Sequence, residues 1–137
     1  MVVAGKEAVL VTGSRYWTRV DIIHRKLAEL KPGAVIIHGN AVGADEIADN
    51  EAGYLGLARI RVPYIGKLGK PGGPVRNRLM LNILVGLEHQ GYIGKVYAFH
   101  DSLDTSAGTA DMCKQADHEH IPVYQFTTYD DDAARVK

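Results

Sequence analysis

Short apolar runs alternate along this chain with segments in which apolar residues recur every three or four positions. The runs are rich in β-branched or aromatic residues and predict five strands, at 8–11, 35–37, 58–63, 96–99 and 122–126. The helical spacings predict four helices, at 20–30, 43–54, 75–90 and about 109–119. Strands that alternate with helices in this way build a parallel sheet with helices on both of its faces.

Chain connectivity narrows the arrangement of these elements. Right-handed crossovers favour an α/β, Rossmann-like three-layer sandwich with a parallel sheet of about five strands in the order 3-2-1-4-5. We expect one domain over 1–126. Residues 127–137 carry three consecutive aspartates and little apolar content, so we predict a flexible tail there. In this fold ligands bind beyond the carboxyl ends of the strands, between strands 1 and 4.

Composition restricts the class of partner. The 137 residues include 16 basic and 16 acidic side chains, so an anion site must be local rather than a product of global charge. Cys113 is the only cysteine, which excludes an internal disulfide and fits a reducing compartment. No segment reaches the length of a membrane span, and the N-terminus lacks a leader pattern. We therefore expect a soluble, cytoplasmic protein without a membrane partner.

The loop after the fourth predicted strand is the first candidate site. Asp104, Gly108 and Thr109 lie where a strand leads through small residues into a helix. The first amides of a helix lack partners within it, and the helix dipole adds positive charge there. Gly108 would let a ligand approach the backbone, and Thr109 would cap the helix or donate a hydroxyl. An ordinary capped loop is the alternative interpretation.

Three other segments are predicted to converge on the same edge of the sheet. After strand 1 come a glycine turn, a hydroxyl and a guanidinium that could clamp phosphate. After strand 2, an acidic residue opens a helix and could accept a hydrogen bond from a ribose hydroxyl. Before the third helix, a glycine loop precedes an arginine and an asparagine, while Arg78 is expected to point elsewhere. The candidate ligand-binding residues are Gly13, Ser14 and Arg15, then His38, Gly39, Gly43 and Asp45, then Gly73, Arg76 and Asn77.

Several common motifs are absent. No Gly-Lys-Ser/Thr closes the second segment, and the turn after strand 1 is not Gly-x-Gly-x-x-Gly, which excludes a P-loop and the usual dinucleotide fingerprint. Asp117, His118 and His120 lie near a helix C-terminus, where histidine is favoured by the dipole, and no matching ligand cluster stands elsewhere. We predict no metal site and no certain cofactor beyond a nucleotide-derived ligand.

Taken together, the four segments resemble the SLOG superfamily, which unites DprA, the LOG phosphoribohydrolases and the YspA/YpsA-like proteins. The resemblance covers roughly residues 9–126 and is closest to the small YspA-like branch. It implies a Rossmann-like fold whose loops bind a nucleotide or a nucleotide-derived ligand. The matching stretches are Val11-Thr12-Gly13-Ser14-Arg15, Ile37-His38-Gly39 with Gly43-Ala44-Asp45, Gly73-Pro74 with Arg76-Asn77 and Met80, and Gly108-Thr109-Ala110-Asp111-Met112.

The same resemblance contains one departure that bears on catalysis. LOG enzymes carry a catalytic glutamate where this chain has Met112, whereas Arg76 matches their arginine. Cleavage of an N-glycosidic bond needs a carboxylate or an equivalent group, and methionine supplies neither. If the protein is an enzyme, Arg76 and Asp111 are the candidate catalytic residues.

Three hypotheses follow for function, together with one for assembly. The first is a sensor or sequestering module for a nucleotide-derived ligand. The second is a LOG-like hydrolase of a nucleoside monophosphate or an NAD-type ligand. The third is a DprA-like DNA-binding accessory protein, which the balanced charge disfavours. We also expect a homodimer or higher homo-oligomer through the helix at 75–90, because that helix is apolar around nearly its whole circumference.

Overall fold

The computed structural model describes residues 5–64, 66–69, 72–103, 106–129 and, for the backbone alone, 134–136. The strands are β1 (Glu7–Gly13), β2 (Val35–His38), β3 (Ala58–Arg61), β4 (Ile93–Phe99), β5 (Val123–Phe126) and β6 (Ala134–Val136). The helices are α1 (Val20–Ala28), α2 (Ala44–Tyr54), α3 (Gly72–His89) and α4 (Ala107–His118), with a 3₁₀ turn at Gly66–Leu68.

The sheet has the predicted order. Its strands follow β3-β2-β1-β4-β5-β6, and all neighbours are parallel except the last pair. In register, Gly13 at the end of β1 pairs with Phe99 at the end of β4. The order reverses between these two strands, so the loops that follow them open onto the same crevice. The expectation of an α/β, Rossmann-like fold is confirmed.

The core consists of two layers, one on each face of the sheet. Val9 and Val11 of β1 pack toward α1 and α2, whereas Ala8 and Leu10 pack toward α3 and α4. All four residues are fully buried, because β1 is a central strand covered on both sides. The apolar run therefore lacks the alternation that a half-exposed strand would show.

The segment predicted as a flexible tail contains β6. Ala134–Val136 pairs antiparallel with β5, with Gln125 opposite Ala134. Antiparallel pairing uses backbone hydrogen bonds, which residues of any type except proline can form, so a polar sequence with few apolar residues gives little sign of an edge strand. Among the described residues no helix is both long and apolar enough to cross a membrane.

Candidate functional site

A cleft of about 1020 Å³ lies at the carboxyl ends of β1, β2 and β4, where the sheet order reverses. Four parts of the chain line it: the loop after β1, the loop after β2 with the first turn of α2, the start of α3 with Tyr64, and His100 after β4 with the start of α4. Its lining residues are Thr12 to Tyr16, Gly39 to Val42, Asp45, Tyr64, Arg76, Asn77, Met80, His100 and Ser106 to Thr109.

The loop after β1 is joined closely to its neighbours. The Ser14 amide donates to the Phe99 carbonyl at 3.0 Å, and the Ser14 carbonyl accepts from the Ala44 amide at 3.1 Å. A Cβ at Gly13 would stand 2.7 Å from the Ala44 Cβ. A Cβ at Gly43, whose φ is +84°, would stand 2.6 Å from the Arg15 carbonyl. These glycines allow the backbones of the β1 loop and of α2 to touch.

The N-terminus of α2 is closed by the chain's own groups. The Ala44 amide donates to the Ser14 carbonyl. The Glu46 amide donates to the Ala41 carbonyl, and the Ile47 amide donates to the Gly43 carbonyl. The Asp45 Oδ2 accepts from the Gly39 amide at 3.0 Å and the Ala41 amide at 3.4 Å. Asp45 is 7% exposed, and its burial raises the pKa of the carboxyl above its usual range. The carboxylate therefore shapes the loop after β2 from within.

Arg76 reaches across the cleft from the first turns of α3. Its Nη1 donates to the Gly39 carbonyl at 3.1 Å, and its guanidinium lies 5.9 Å from the centre of the Tyr64 ring. Its Nε is buried and has no hydrogen-bond partner in the described part of the chain. A Cβ at Gly39 would stand 3.1 Å from Nε, so the glycine makes room for this side chain. A buried donor without an acceptor is costly, and this one belongs to a side chain that lines the cleft.

The start of α4 offers further donors. Ser106 is its N-cap, and the Ser106 hydroxyl accepts from the Thr109 amide at 3.2 Å. Thr109 is itself buried, so capping belongs to Ser106 and not to the predicted Thr109. Within the described residues, the Ala107 and Gly108 amides have no acceptor, and a Cβ at Gly108 would meet nothing within 4 Å. Both residues line the cleft.

Asn77 holds α4 beside α3. Its Nδ2 donates to the Gly108 carbonyl at 3.2 Å and to the Asp111 Oδ2 at 2.8 Å. Asp111 also accepts from Gln115, and it does not line the cleft. Arg78 points away, as predicted, and bonds to Gln115 and Glu119. Asn77 thus borders the cleft, but its side-chain amide group donates its hydrogen bonds to α4 and positions the N-terminus of that helix.

Some predicted site residues lie outside the cleft lining. His38 is fully buried and bonds to Asp49, Gly43 sits beneath the β1 loop, and Gly73 lies in the first turn of α3. Met112 is fully buried in the core layer of α3 and α4. Asp104 lies outside the described residues. The predicted residues that the cleft brings together are Gly13, Ser14, Arg15, Gly39, Asp45, Arg76, Asn77, Gly108 and Thr109.

Sequence reasoning missed several lining residues. Tyr16 and Tyr64 present aromatic surface, with side chains 87% and 45% exposed. His100 follows β4, and its Nδ1 accepts from the Ser102 amide at 3.0 Å. A histidine directly after the fourth strand was a usable signal, because it stands at the carboxyl edge of the sheet. Among the described residues no group of histidine, cysteine and acidic side chains is arranged to hold a metal ion.

The fold and the cleft define a Rossmann-like α/β protein with an open cleft at the reversal of strand order. The chain belongs to the family of the Gene 61 protein of Mycobacterium phage D29, with which it is 31% identical over 128 residues. That similarity covers 86% of this chain and 94% of the phage protein. No protein-family model matches the chain.

A solved structure is also similar. It is the DNA processing protein A (DprA) from Streptococcus pneumoniae, with 19% sequence identity and a TM-score of 0.49. The similarity covers 86% of this chain and 58% of the DprA chain, so this chain spans less than two thirds of that protein.

Proposed function

We propose that the cleft binds a nucleotide or a nucleotide-derived small molecule, as a sensor or a sequestering module. The observation that carries the proposal is the buried Arg76 Nε without a partner, in the same cleft as the open N-terminus of α4. Arg76 offers a guanidinium donor. The start of α4 offers two backbone amides, and the dipole of the helix favours an anion there. The residue pattern that resembles the SLOG superfamily, and its YspA-like branch in particular, supports the same class of ligand.

The two donor groups suit different parts of such a ligand. The Ala107 and Gly108 amides, with Arg15 on the facing loop, would hold a phosphate. Asp45 and Arg76, an acceptor beside a donor, would take neighbouring ribose hydroxyls. The exposed rings of Tyr16 and Tyr64 would stack against a base. Each assignment follows from the chemistry of the side chain at that point of the lining.

A hydrolase is the second candidate, and Asp45 is the observation in its favour. A carboxyl whose pKa is raised by burial, an effect that the nearby Arg76 only partly offsets, has the properties of a general acid. Met112 and Asp111 contribute nothing to this possibility, since neither lines the cleft. Binding is the better-supported function, because Asp45 already accepts two backbone hydrogen bonds.

The test is incubation of the purified protein with nucleoside monophosphates, NAD, ADP-ribose and a single-stranded oligonucleotide. Calorimetry would measure binding, and chromatography would separate the products. We expect a bound and unaltered nucleotide. Free base formed in proportion to protein would establish the hydrolase instead. Oligonucleotide binding that weakens steeply with salt, without mononucleotide binding, would replace both with a DNA-binding role.

A further inference from the structure

His38 is the one fully buried histidine of the described chain, and both of its ring nitrogens are engaged. The Asn40 amide lies 3.0 Å from Nδ1, and the Asp49 Oδ1 lies 2.8 Å from Nε2. A backbone N–H can only donate, so Nδ1 must carry the lone pair. In the neutral ring the proton is therefore on Nε2 and is donated to Asp49.

The Asp49 carboxylate is held in place by Arg61 of β3. The Arg61 guanidinium forms a two-point contact with its carboxylate, at 2.8 Å and 3.0 Å. The Arg61 hydrogen bond is the main cause that holds the pKa of Asp49 below its usual range. Asp49 is thus a constant acceptor for the ring. The ring in turn has one orientation and one tautomer.

The other end of this chain of contacts reaches the cleft wall. Asn40 has a φ of +56°, a conformation that few residues other than glycine adopt. It lines the cleft between Gly39, whose carbonyl receives Arg76, and Ala41, whose amide bonds to Asp45. The bond from the Asn40 amide to His38 is the hydrogen bond that the structure gives to this amide. It holds the turn in the conformation that places both neighbours.

We propose that His38 is a positioning residue, which sets the backbone of the cleft wall at 39–42 by accepting the Asn40 amide on Nδ1. His38 does not touch the ligand in this role. The consequence for affinity rests on the proposed function of the cleft, whereas the effect on the loop does not. His100 offers an internal comparison, because its Nδ1 accepts the Ser102 amide in the same two-residue arrangement after β4.

Two substitutions separate the nitrogens of the ring. In His38→Asn the side-chain oxygen stands near the position of Nδ1, so it can still accept from the Asn40 amide, but the contact with Asp49 is lost. In His38→Gln the longer side chain reaches the position of Nε2, so the contact with Asp49 is kept and the Nδ1 acceptor is lost. Asparagine removes more side-chain volume than glutamine, so lost packing alone would disturb His38→Asn more, the opposite of the order expected for the loop.

The experiment measures the loop and the affinity separately. Amide NMR spectra and hydrogen exchange would follow residues 39–42, and titration with AMP would give the dissociation constant. We expect His38→Asn to keep the loop signals and to bind AMP within about threefold of wild type. His38→Gln should shift those signals and weaken AMP binding by about tenfold or more, the scale of one lost buried hydrogen bond.

A third measurement uses the unaltered protein, in case both variants fail to fold. Nitrogen-15 spectra should show a protonated Nε2 and a scalar coupling between Nδ1 and the Asn40 amide nitrogen. A proton on Nδ1, or equal loss of the loop conformation in both variants, would overturn the proposal. If wild type binds no AMP while the coupling and the loop shifts are as expected, the ligand class fails and the positioning role stands.

Discussion

Two carboxylates on α2, one turn apart, experience opposite environments. Burial raises the pKa of Asp45, whereas the hydrogen bond from Arg61 lowers that of Asp49. A carboxyl with a raised pKa stabilises the fold in acid, and that contribution is lost as pH rises through its folded pKa. A carboxyl with a lowered pKa stabilises the fold at pH values above its ordinary pKa of 3.8. That contribution is lost as the pH falls through the pKa of the folded state.

The prediction is that asparagine at these two positions has opposite effects on stability at neutral pH. Asp45→Asn should raise the melting temperature, since it removes a buried charge while its carbonyl oxygen can still accept from Gly39. Asp49→Asn should lower it. Thermal melts between pH 4 and pH 8 would show the Asp45→Asn difference shrinking toward acid, whereas the Asp49→Asn difference should stay constant there and shrink only below pH 3.8. A loss of stability in Asp45→Asn at neutral pH would mean that the ionised form is better compensated than its burial indicates.

Arg76 is the residue on which ligand binding should depend most. Arg76→Ala should weaken nucleotide binding by about 2–3 kcal/mol, the scale of a charge-assisted contact. Lysine at this position should restore only part, because it cannot form the planar fork. Calorimetry with the ligand identified from the panel would measure both. Arg78→Ala is the matched control, since that side chain bonds to α4 outside the cleft. Equal losses in the two variants would remove Arg76 from the site.

Which side chains enter the cleft was only partly predictable at this scale. Arg76 and Gly39 are adjacent in space because α3 crosses the end of β2, and the pattern of motifs brought both to one edge. The inward turn of His38 depends on Asp49, eleven residues later, and on the ion pair of Asp49 with Arg61. Local sequence carries no sign of that pairing, so His38 was predicted as a ligand contact.

At the scale of elements, close backbone contact between the β1 loop and α2 decides where glycine is required. Gly43 has a positive φ and lies against Arg15, whereas a Cβ at Gly73 in α3 would meet nothing within 4 Å. The sequence analysis placed both glycines in the ligand site. Both glycines stand at the start of a predicted helix, but the reason for Gly43 is the contact between two segments of backbone.

Alanine at the two glycines should therefore behave differently. Gly43→Ala should destabilise the protein by about 2–4 kcal/mol, through the strained φ and the overlap with the β1 loop. Gly73→Ala should cost much less, about 1 kcal/mol or below, because its Cβ would meet no other segment of the chain and only Pro74 disfavours a helical residue with a Cβ before it. Urea denaturation would measure both. A large loss in Gly73→Ala would mean that the start of α3 is more crowded than its geometry indicates.

The boundaries of the elements were less predictable than their order. The pair Thr18 and Asp21 is typical of a helix start, yet the N-cap of α1 is Arg19, which has no side-chain capping bond and instead pairs with Asp21. Alternating strands and helices define the sheet order through right-handed crossovers. The exact start of a helix depends on single side-chain hydrogen bonds, which compete locally.

At the scale of the whole molecule, the question is how much of the apolar surface of α3 is buried within a single chain. Met80, Leu81 and Leu84 are buried against the sheet, and Ile83, Val85 and Leu87 are partly covered by the same core layer. Val75 and Leu79 remain about 40% exposed, at 39% and 41%, on the outer side of the first turns. The apolar surface left outside is thus smaller than the sequence of the helix alone indicates, and its two exposed residues lie four positions apart on one face.

We predict that this face of α3 joins two copies of the chain. Light scattering at micromolar concentration should give about twice the 14.9 kDa mass of one chain. Leu79→Glu should give the single-chain mass with little change in melting temperature, because a charge on the exposed face opposes association but is solvated in the monomer. Tyr54→Glu, at an exposed position at the end of α2, is the control that should leave the dimer intact. A wild-type protein that is monomeric throughout this range would mean that packing within one chain already covers enough of the apolar surface of α3.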